Sequence, residues 1–516
     1  MPSVYAVAPL DAGSLIGCYE ERTDGMARLA GAGPGNTKVA LSRRRLLLLA
    51  AGMAGGAGIG VLAGCGAPAT TAAVTASVTT PSLAASSAIA ATPVPAAVPT
   101  KAAAATSSST IDFFFPNWGE PTIYEAQEQH KIDAYEKQYA ERKITPVPVA
   151  SDYDKKLTAL FAAGTPPTTF WSDHQLVFSY AKKGMLDDLQ PFARQDKSFD
   201  LNALPAVTRE GLIMGDKLFA LAGWAFTNVY FYNADLYRQA GLDSPYDLWK
   251  QDKWTWDVYI EAATKLTKRD GTKTTQQGSD LGLSRLWINT AGGQEYDSVK
   301  APTKCLYDTD VDMAGLQFSY DMGNKYRIYD ANFYKDSGQK DATTAFTNGK
   351  QATMSRWITG IANFKAIQDF TWGAVPYAKK QAYASDYTHW AYGMAKGLTN
   401  ASRRDAGWQW LKWYTGEGGQ EMEAKDLGAV PFTKQAQAVF TQALQQLPKM
   451  EHPEAISEIL NAYPNSRLIS VDVTDISKLL NQNMAPFWAG KSDAKTTTTA
   501  ATEQVNSYLQ AHPQTF

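Results

Sequence analysis

Residues 153–192 read YDKKLTALFAAGTPPTTFWSDHQLVFSYAKKGMLDDLQPF, and the change of pattern inside this stretch decides the fold class. Tyr153, Leu157, Leu160 and Phe161 recur at helical spacing, which predicts a helix over 153–163 with one apolar face. Gly164 supplies the residue that ends it. Thr168-Thr169-Phe170-Trp171 then reads as a strand. Working outward, Ile111-Asp112-Phe113-Phe114-Phe115 is a short apolar strand closed by Pro116-Asn117-Trp118-Gly119, and Ile132, Tyr135 and Tyr139 mark a helix after it. Residues 217–221 and 229–232 read as further strands, and Thr255 caps a helix through Leu266 that stops at Arg269-Asp270-Gly271. Strands alternating with helices predict an α/β fold with mainly parallel sheets.

Upstream of Ile111 the chain changes character. Arg43-Arg44-Arg45 precedes an uncharged run over 46–64 that ends in Leu62-Ala63-Gly64-Cys65. Positive, apolar, small and then cysteine is the order of an export signal whose thiol is placed for acylation, and it resembles a bacterial lipoprotein signal. Ser42-Arg43-Arg44-Arg45-Leu46-Leu47 resembles the twin-arginine export motif; an ordinary secretion signal with three arginines stays open. So does an uncleaved anchor, although the glycines make 46–64 a weak membrane helix. Residues 1–41 read as an overlong leader, with Met26 as the alternative start. The glycines of 55–60 follow no strand and are not read as a phosphate loop. Residues 66–110 are almost all Ala, Thr, Ser, Pro and Val, with Lys101 their one charge and no aromatic, so they cannot bury enough surface to fold. The expected organisation is an export signal with lipobox over 1–64 and a lipid-anchored tether over 65–110, with the folded part starting near Ile111.

Composition narrows the partners. The chain has 49 basic and 51 acidic residues, a net charge of −2, without the basic patch that nucleic acid demands. Cys18 falls in the leader and Cys65 at the acylation site, which leaves Cys305 without a disulfide partner; it is expected to be a buried structural residue. Five scattered histidines without paired spacing argue against zinc. Asp308-Thr309-Asp310-Val311-Asp312 alternates like a calcium loop, but Met313 stands where glycine is needed and Ser319 where glutamate is needed. A strand end with an Asp helix cap explains it better. No metal and no cofactor are expected.

Several segments, in order, resemble the extracellular solute-binding proteins of ABC importers, the maltose-binding-like family. Residues 153–192 look like that family's first helix–strand–helix unit, and GDKLFALAGWAFTNVYFYNADLYRQAGLDSPYDLW (215–249) like its entry into the second lobe. WTWDVYIEAATKLTKRDG, AFTNGKQATM (345–354), WGAVPYAKK (372–380), GWQWLKWYTGEGGQEMEAKDLGAVPFTKQA (407–436) and MAPFWAGKSDA (484–494) continue it across nearly all of 111–516. One departure stands out: the family usually carries Asp after the proline pair, where this chain has Thr168. The resemblance implies a two-lobed fold of periplasmic-binding-protein type II with a hinge and a ligand cleft between lobes. Mapped onto this sequence, lobe 1 is 111–223 plus 378–430 and lobe 2 is 224–377 plus 431–516, with crossings near 223–227, 377–378 and 428–431. It also implies a carbohydrate ligand, an ABC permease partner, attachment to the extracytoplasmic face of the plasma membrane through the lipid on Cys65, and a monomer.

Sugar rings present apolar CH faces bordered by hydroxyls, so a site for them needs flat aromatic surfaces beside carboxylate, amide or guanidinium groups. The chain's 14 tryptophans are therefore sorted by position. Trp408, Trp410 and Trp413 share a helix and are read as packing, as are Trp254, Trp256 and Trp488. Those at strand ends or crossings are the ligand candidates: Trp118 with Glu120, Trp171 with Asp173, Trp224 with Phe226, Trp287, Trp357, and His389 with Trp390. No catalytic residue is assigned. Two other readings remain: the same fold with a non-sugar solute such as glycerol phosphate or a polyamine, for which Arg285 and Arg356 are the basic candidates, and a secreted carbohydrate-active enzyme. A glycosidase needs a carboxylate pair across one bond, and no local motif supports Glu120 with Asp173 in that role.

Overall fold

The computed structural model of the chain describes residues 110–117 and 121–514. The signal, the tether up to residue 109, Cys65, Trp118 and Glu120 lie outside the described residues. Among the described residues no helix is long and apolar enough to cross a membrane.

Among the described residues, ten strands build the two main sheets: β1 (Thr110–Pro116), β2 (Lys143–Val149), β3 (Thr169–Asp173), β4 (Trp224–Phe226), β5 (Asn228–Asn233), β6 (Thr353–Trp357), β7 (Trp372–Val375), β8 (Ser385–Met394), β9 (Val430–Pro431) and β10 (Pro464–Ser466). The first sheet has the order β9-β4-β8-β3-β1-β2, with β10 against the start of β8; the second is β6-β5-β7. β1 lies inside the sheet, between β3 and the outermost β2, and runs parallel to both neighbours. That explains its apolar run, interrupted only by Asp112: Ile111, Phe113, Phe114 and Phe115 are all buried. β2 carries Pro146 and Pro148 and occupies the margin, where a strand tolerates missing amides.

The sheets are mixed, which corrects the mainly parallel expectation. β8 is antiparallel to β3 and β4, β9 is antiparallel to β4, and the whole second sheet is antiparallel. The reason is the chain path. β8 enters the first sheet from the second, not through a helix packed on its own sheet, so it arrives from the opposite end.

Helix α1 (Pro121–Gln138) follows β1, and α2 (Tyr153–Ala162) precedes β3. Gly164 sits at φ +71° just past α2, and its amide bonds to the Phe161 carbonyl at 3.1 Å. The Tyr153 hydroxyl donates to the carbonyls of Phe114 (3.1 Å) and Trp171 (2.8 Å), so the first residue of α2 ties β1 to β3. Thr168 donates through its amide (3.1 Å) and its hydroxyl (2.6 Å) to the Asp112 carboxylate, which also pairs with Arg403. The threonine that departs from the family pattern is thus served by a carboxylate from β1. Thr255 caps α3 (Trp256–Leu266) by accepting from the Val258 amide.

Each main sheet has its own buried cluster. One, around the first sheet, includes Phe113, Phe170, Trp171, Tyr392 and Trp410; the other, around the second, includes Tyr230, Tyr259, Trp287, Met354 and Phe364. This makes a two-lobed α/β molecule. Trp224 and Phe226 pack in the first sheet's cluster, while Ala225 between them packs in the second's. Ile469 and Val471, expected in the second lobe, also join that first cluster. A third cluster forms around the helix pair Val473–Trp488 and Ala494–Ala511 with Tyr296, Cys305, Tyr307 and Leu316. Cys305 is fully buried there and burial pushes its thiol up to about 11, which keeps it an inert thiol.

The acidic run at 308–312 opens helix α4 (Asp310–Asn324), which is capped by Thr309 and not by an aspartate. Asp312 is buried against Gly293, and burial pushes its carboxyl up to about 7. Among the described residues no cluster suited to a metal occurs. Because the folded value lies above the ordinary 3.8, the stability this group adds is present below about pH 4 and lost as pH rises through 7. Asp312→Asn is therefore expected to raise stability at pH 8, on the order of 1–3 kcal/mol, with roughly a third of that gain at pH 5. Melting curves at both values check it; an equal shift at both would contradict the assignment.

Candidate functional site

Three neighbouring strands of the first sheet bring aromatic rings to one end of it. Antiparallel pairing sets Trp390 of β8 opposite Asp173 of β3, and Thr388 opposite Phe226 of β4. Trp390 meets Phe226 at 4.7 Å between ring centroids and Trp171 edge-on at 6.1 Å. The Asp173 carboxylate takes the Gln175 amide at 2.9 Å and stands 3.1 Å from Nδ1 of His174. His174 Nδ1 also contacts the Thr388 hydroxyl at 2.7 Å. The His389 ring lies 4.9 Å from that of His174, tilted by 42°; both are buried, and burial first, then the neighbouring His174, holds His389 far below the usual imidazole range. His389 is thus a neutral, enclosed imidazole.

The second sheet meets this end at Thr227, the single residue between β4 and β5. Trp357 closes β6 opposite Asn228, and the next amide, Ile358, donates to the Thr227 carbonyl at 3.1 Å. Trp357 is half-buried and packs against the first sheet's cluster, although its strand belongs to the second. The Arg467 guanidinium lies 4.8 Å from its ring. Arg467 Nε and Nη2 donate to Asp386 Oδ2 at 3.0 and 2.8 Å, and Arg285 pairs with the other oxygen of that fully buried carboxylate. Beside Trp357, the Ser355 hydroxyl contacts Asn228 Oδ1 (2.7 Å) and the Tyr377 hydroxyl (2.6 Å). The Asp280 carboxylate accepts from the Ser355 amide at 3.0–3.1 Å; burial pushes it up to about 7, opposed by the amides it accepts from and by Arg356.

The structure therefore gathers Trp171, Asp173, Phe226, His389 and Trp390 at the first sheet's end, with Trp357 across the junction. Two candidates are corrected. Trp224 is fully buried between Tyr392 and Tyr414 with the Lys131 ammonium over its ring, and Trp287 is fully buried with its Nε1 donating to the Leu281 carbonyl at 2.8 Å. Both are core residues, Trp224 at the start of β4 and Trp287 on the Ser284–Thr290 helix; Phe226 and His389, each 1% exposed, are as enclosed as they are. Arg285, a basic candidate for phosphate, is already spent on Asp386. Asp280, Asp386, Arg467 and His174 were not singled out from sequence, because no short motif links positions so far apart. Flat rings, a carboxylate and amide or hydroxyl groups at one junction suit a polyhydroxylated ring.

Residues 131–452 match the family described as bacterial extracellular solute-binding protein. Solved structures share the fold. An ABC substrate-binding protein from Listeria monocytogenes in complex with cycloalternan superposes with a TM-score of 0.66 at 20% identity, covering 78% of this chain and 99% of that one. A maltose-bound MalE3 of T. maritima gives 0.60 at 19%, covering 78% and 100%. The cyclic alpha-maltosyl-1,6-maltose binding protein from Arthrobacter globiformis gives 0.60 at 19%, covering 78% and 99%. The chain belongs to the bacterial extracellular solute-binding protein family. Its place of work is accordingly outside the cytoplasm, and its similar structures are binding proteins.

Proposed function

We propose that this protein captures a carbohydrate, an oligosaccharide above others, and delivers it unaltered to the transmembrane subunits of an ABC permease. The observation that carries the reading is Trp390 packed on Phe226 and Trp171 in the first sheet, with Trp357 of the second sheet half-buried against the same cluster. The ligand-bearing structures of the same fold, with cycloalternan and with maltose, support a sugar over glycerol phosphate or a polyamine. In this reading the two sheets and their clusters are the lobes, the solute lies between them, and the chain works as a monomer without catalysis. Acylation of Cys65 holds it to the membrane after export, by the twin-arginine route if the arginine motif is used.

The experiment is a thermal-shift and tryptophan-fluorescence screen of the mature protein against maltose, maltotriose, mannotriose and cycloalternan, followed by chromatography of each mixture. A melting shift and a fluorescence change with one sugar, recovered intact, are expected. A new glycan product would replace this reading with the enzymatic one, and palmitate labelling absent from Cys65 would remove the anchor.

A further inference from the structure

Three segments far apart in sequence converge on one buried carboxylate. Asp386 lies on β8, Arg467 follows β10, and Arg285 comes from the Ser284–Thr290 helix. Arg285 Nη2 also donates to the carbonyl of Asn465, at 3.1 Å, and Asn465 is the partner of Asp386 in the β8–β10 ladder. Strand pairing, ion pairing and backbone hydrogen bonding thus fix the same point. The result of that convergence is a planar cation laid 4.8 Å from the Trp357 ring. With Nε and Nη2 both on Asp386 Oδ2, the guanidinium has little freedom to rotate. A ring stacked on it is restrained in turn.

We infer that Arg467 is a positioning residue for Trp357, with Asp386 as its buried holder: the guanidinium fixes the plane of the indole against which a sugar ring stacks. The inference rests on the reading of Trp357 as a solute-stacking residue. It has an unexpected corollary. Asp386 has no exposed surface and cannot touch a solute, yet solute affinity depends on it through two other side chains.

Arg467→Lys is the informative variant, because it keeps the charge and gives up the planar, two-donor contact; Asp386→Asn leaves the buried Arg285 and the partly buried Arg467 without their shared carboxylate and can fail to fold. The first readout needs no sugar. The near-ultraviolet circular dichroism lost in Trp357→Ala reports the fixed indole, and Arg467→Lys should lose much of the same band; an unchanged spectrum overturns the inference. The second uses whichever of maltose, maltotriose, mannotriose and cycloalternan gives the largest melting shift, titrated calorimetrically. Arg467→Lys should bind it about five- to thirtyfold more weakly, and the double variant no more weakly than Trp357→Ala alone. Losses that simply add, or a lysine variant binding like the parent, overturn the positioning role while Trp357 keeps its own. A Trp357→Ala protein that binds at full strength removes the site reading itself, and this inference with it.

Discussion

Lys131→Met is expected to cost the folded protein about 3–5 kcal/mol, because it leaves two carboxylates buried without their cation. Lys131 lies on α1, and its ammonium sits 2.8 Å from Glu128 Oε1 and 2.7 Å from Glu423 Oε2 with almost no exposure. Tyr414 donates to the remaining Glu128 oxygen at 2.7 Å, and the rings of Trp224 and Tyr414 flank the ammonium at 5.4 Å. Burial alone would lower the lysine; Glu128 and Glu423 outweigh it and hold it above its usual range, while burial raises Glu128. With methionine in place, no cation opposes the burial that raises Glu128. Its folded value then lies above the unfolded one, so the penalty grows as pH rises and shrinks in acid. Urea unfolding at pH 5 and pH 8 measures it. A loss under about 1 kcal/mol, or one independent of pH, would mean that water reaches the triad.

Trp410→Ala is expected to lower stability by about 3–5 kcal/mol while sparing solute affinity, and Trp357→Ala to do the reverse. Trp410 is fully buried, 5.1 Å from Tyr135, 5.5 Å from Phe113 and 5.0 Å from Tyr414. Removing it opens a cavity at the heart of the first sheet's core, far in function from the junction at Thr227. Trp357 is half-buried at that junction, and losing its stacking face should weaken sugar binding roughly tenfold or more. Denaturant midpoints and calorimetric titration separate the two effects. Parallel losses in both variants would dissolve the distinction between core and site.

Local signals were read correctly where local physics decides. The 153–163 helix ends at Gly164 because a left-handed residue is needed there, and Thr255 caps its helix through its own hydroxyl. Cys305, Trp254, Trp408 and Trp410 lie in cores, as their neighbours in sequence implied. What depends on distant chain was illegible. β2, KITPVPV, lacks any strand signature because its prolines are tolerable only at a sheet margin. The direction of β8 depends on which sheet the chain has just left. Trp224 shares a strand setting with Trp390 and Trp357, so only tertiary covering separates core from junction there, whereas Trp287 is buried on the Ser284–Thr290 helix. The Arg285–Asp386–Arg467 network has no sequence motif at all, since its members meet only after both sheets are assembled.

The seven-stranded sheet has a proline at each outer strand: Pro146 and Pro148 on β2, Pro431 on β9. A proline nitrogen has no hydrogen to offer, so a stray strand approaching either flank finds gaps where donors should be. Copies of such a protein crowded on one surface can touch without zipping edge to edge into a growing ribbon.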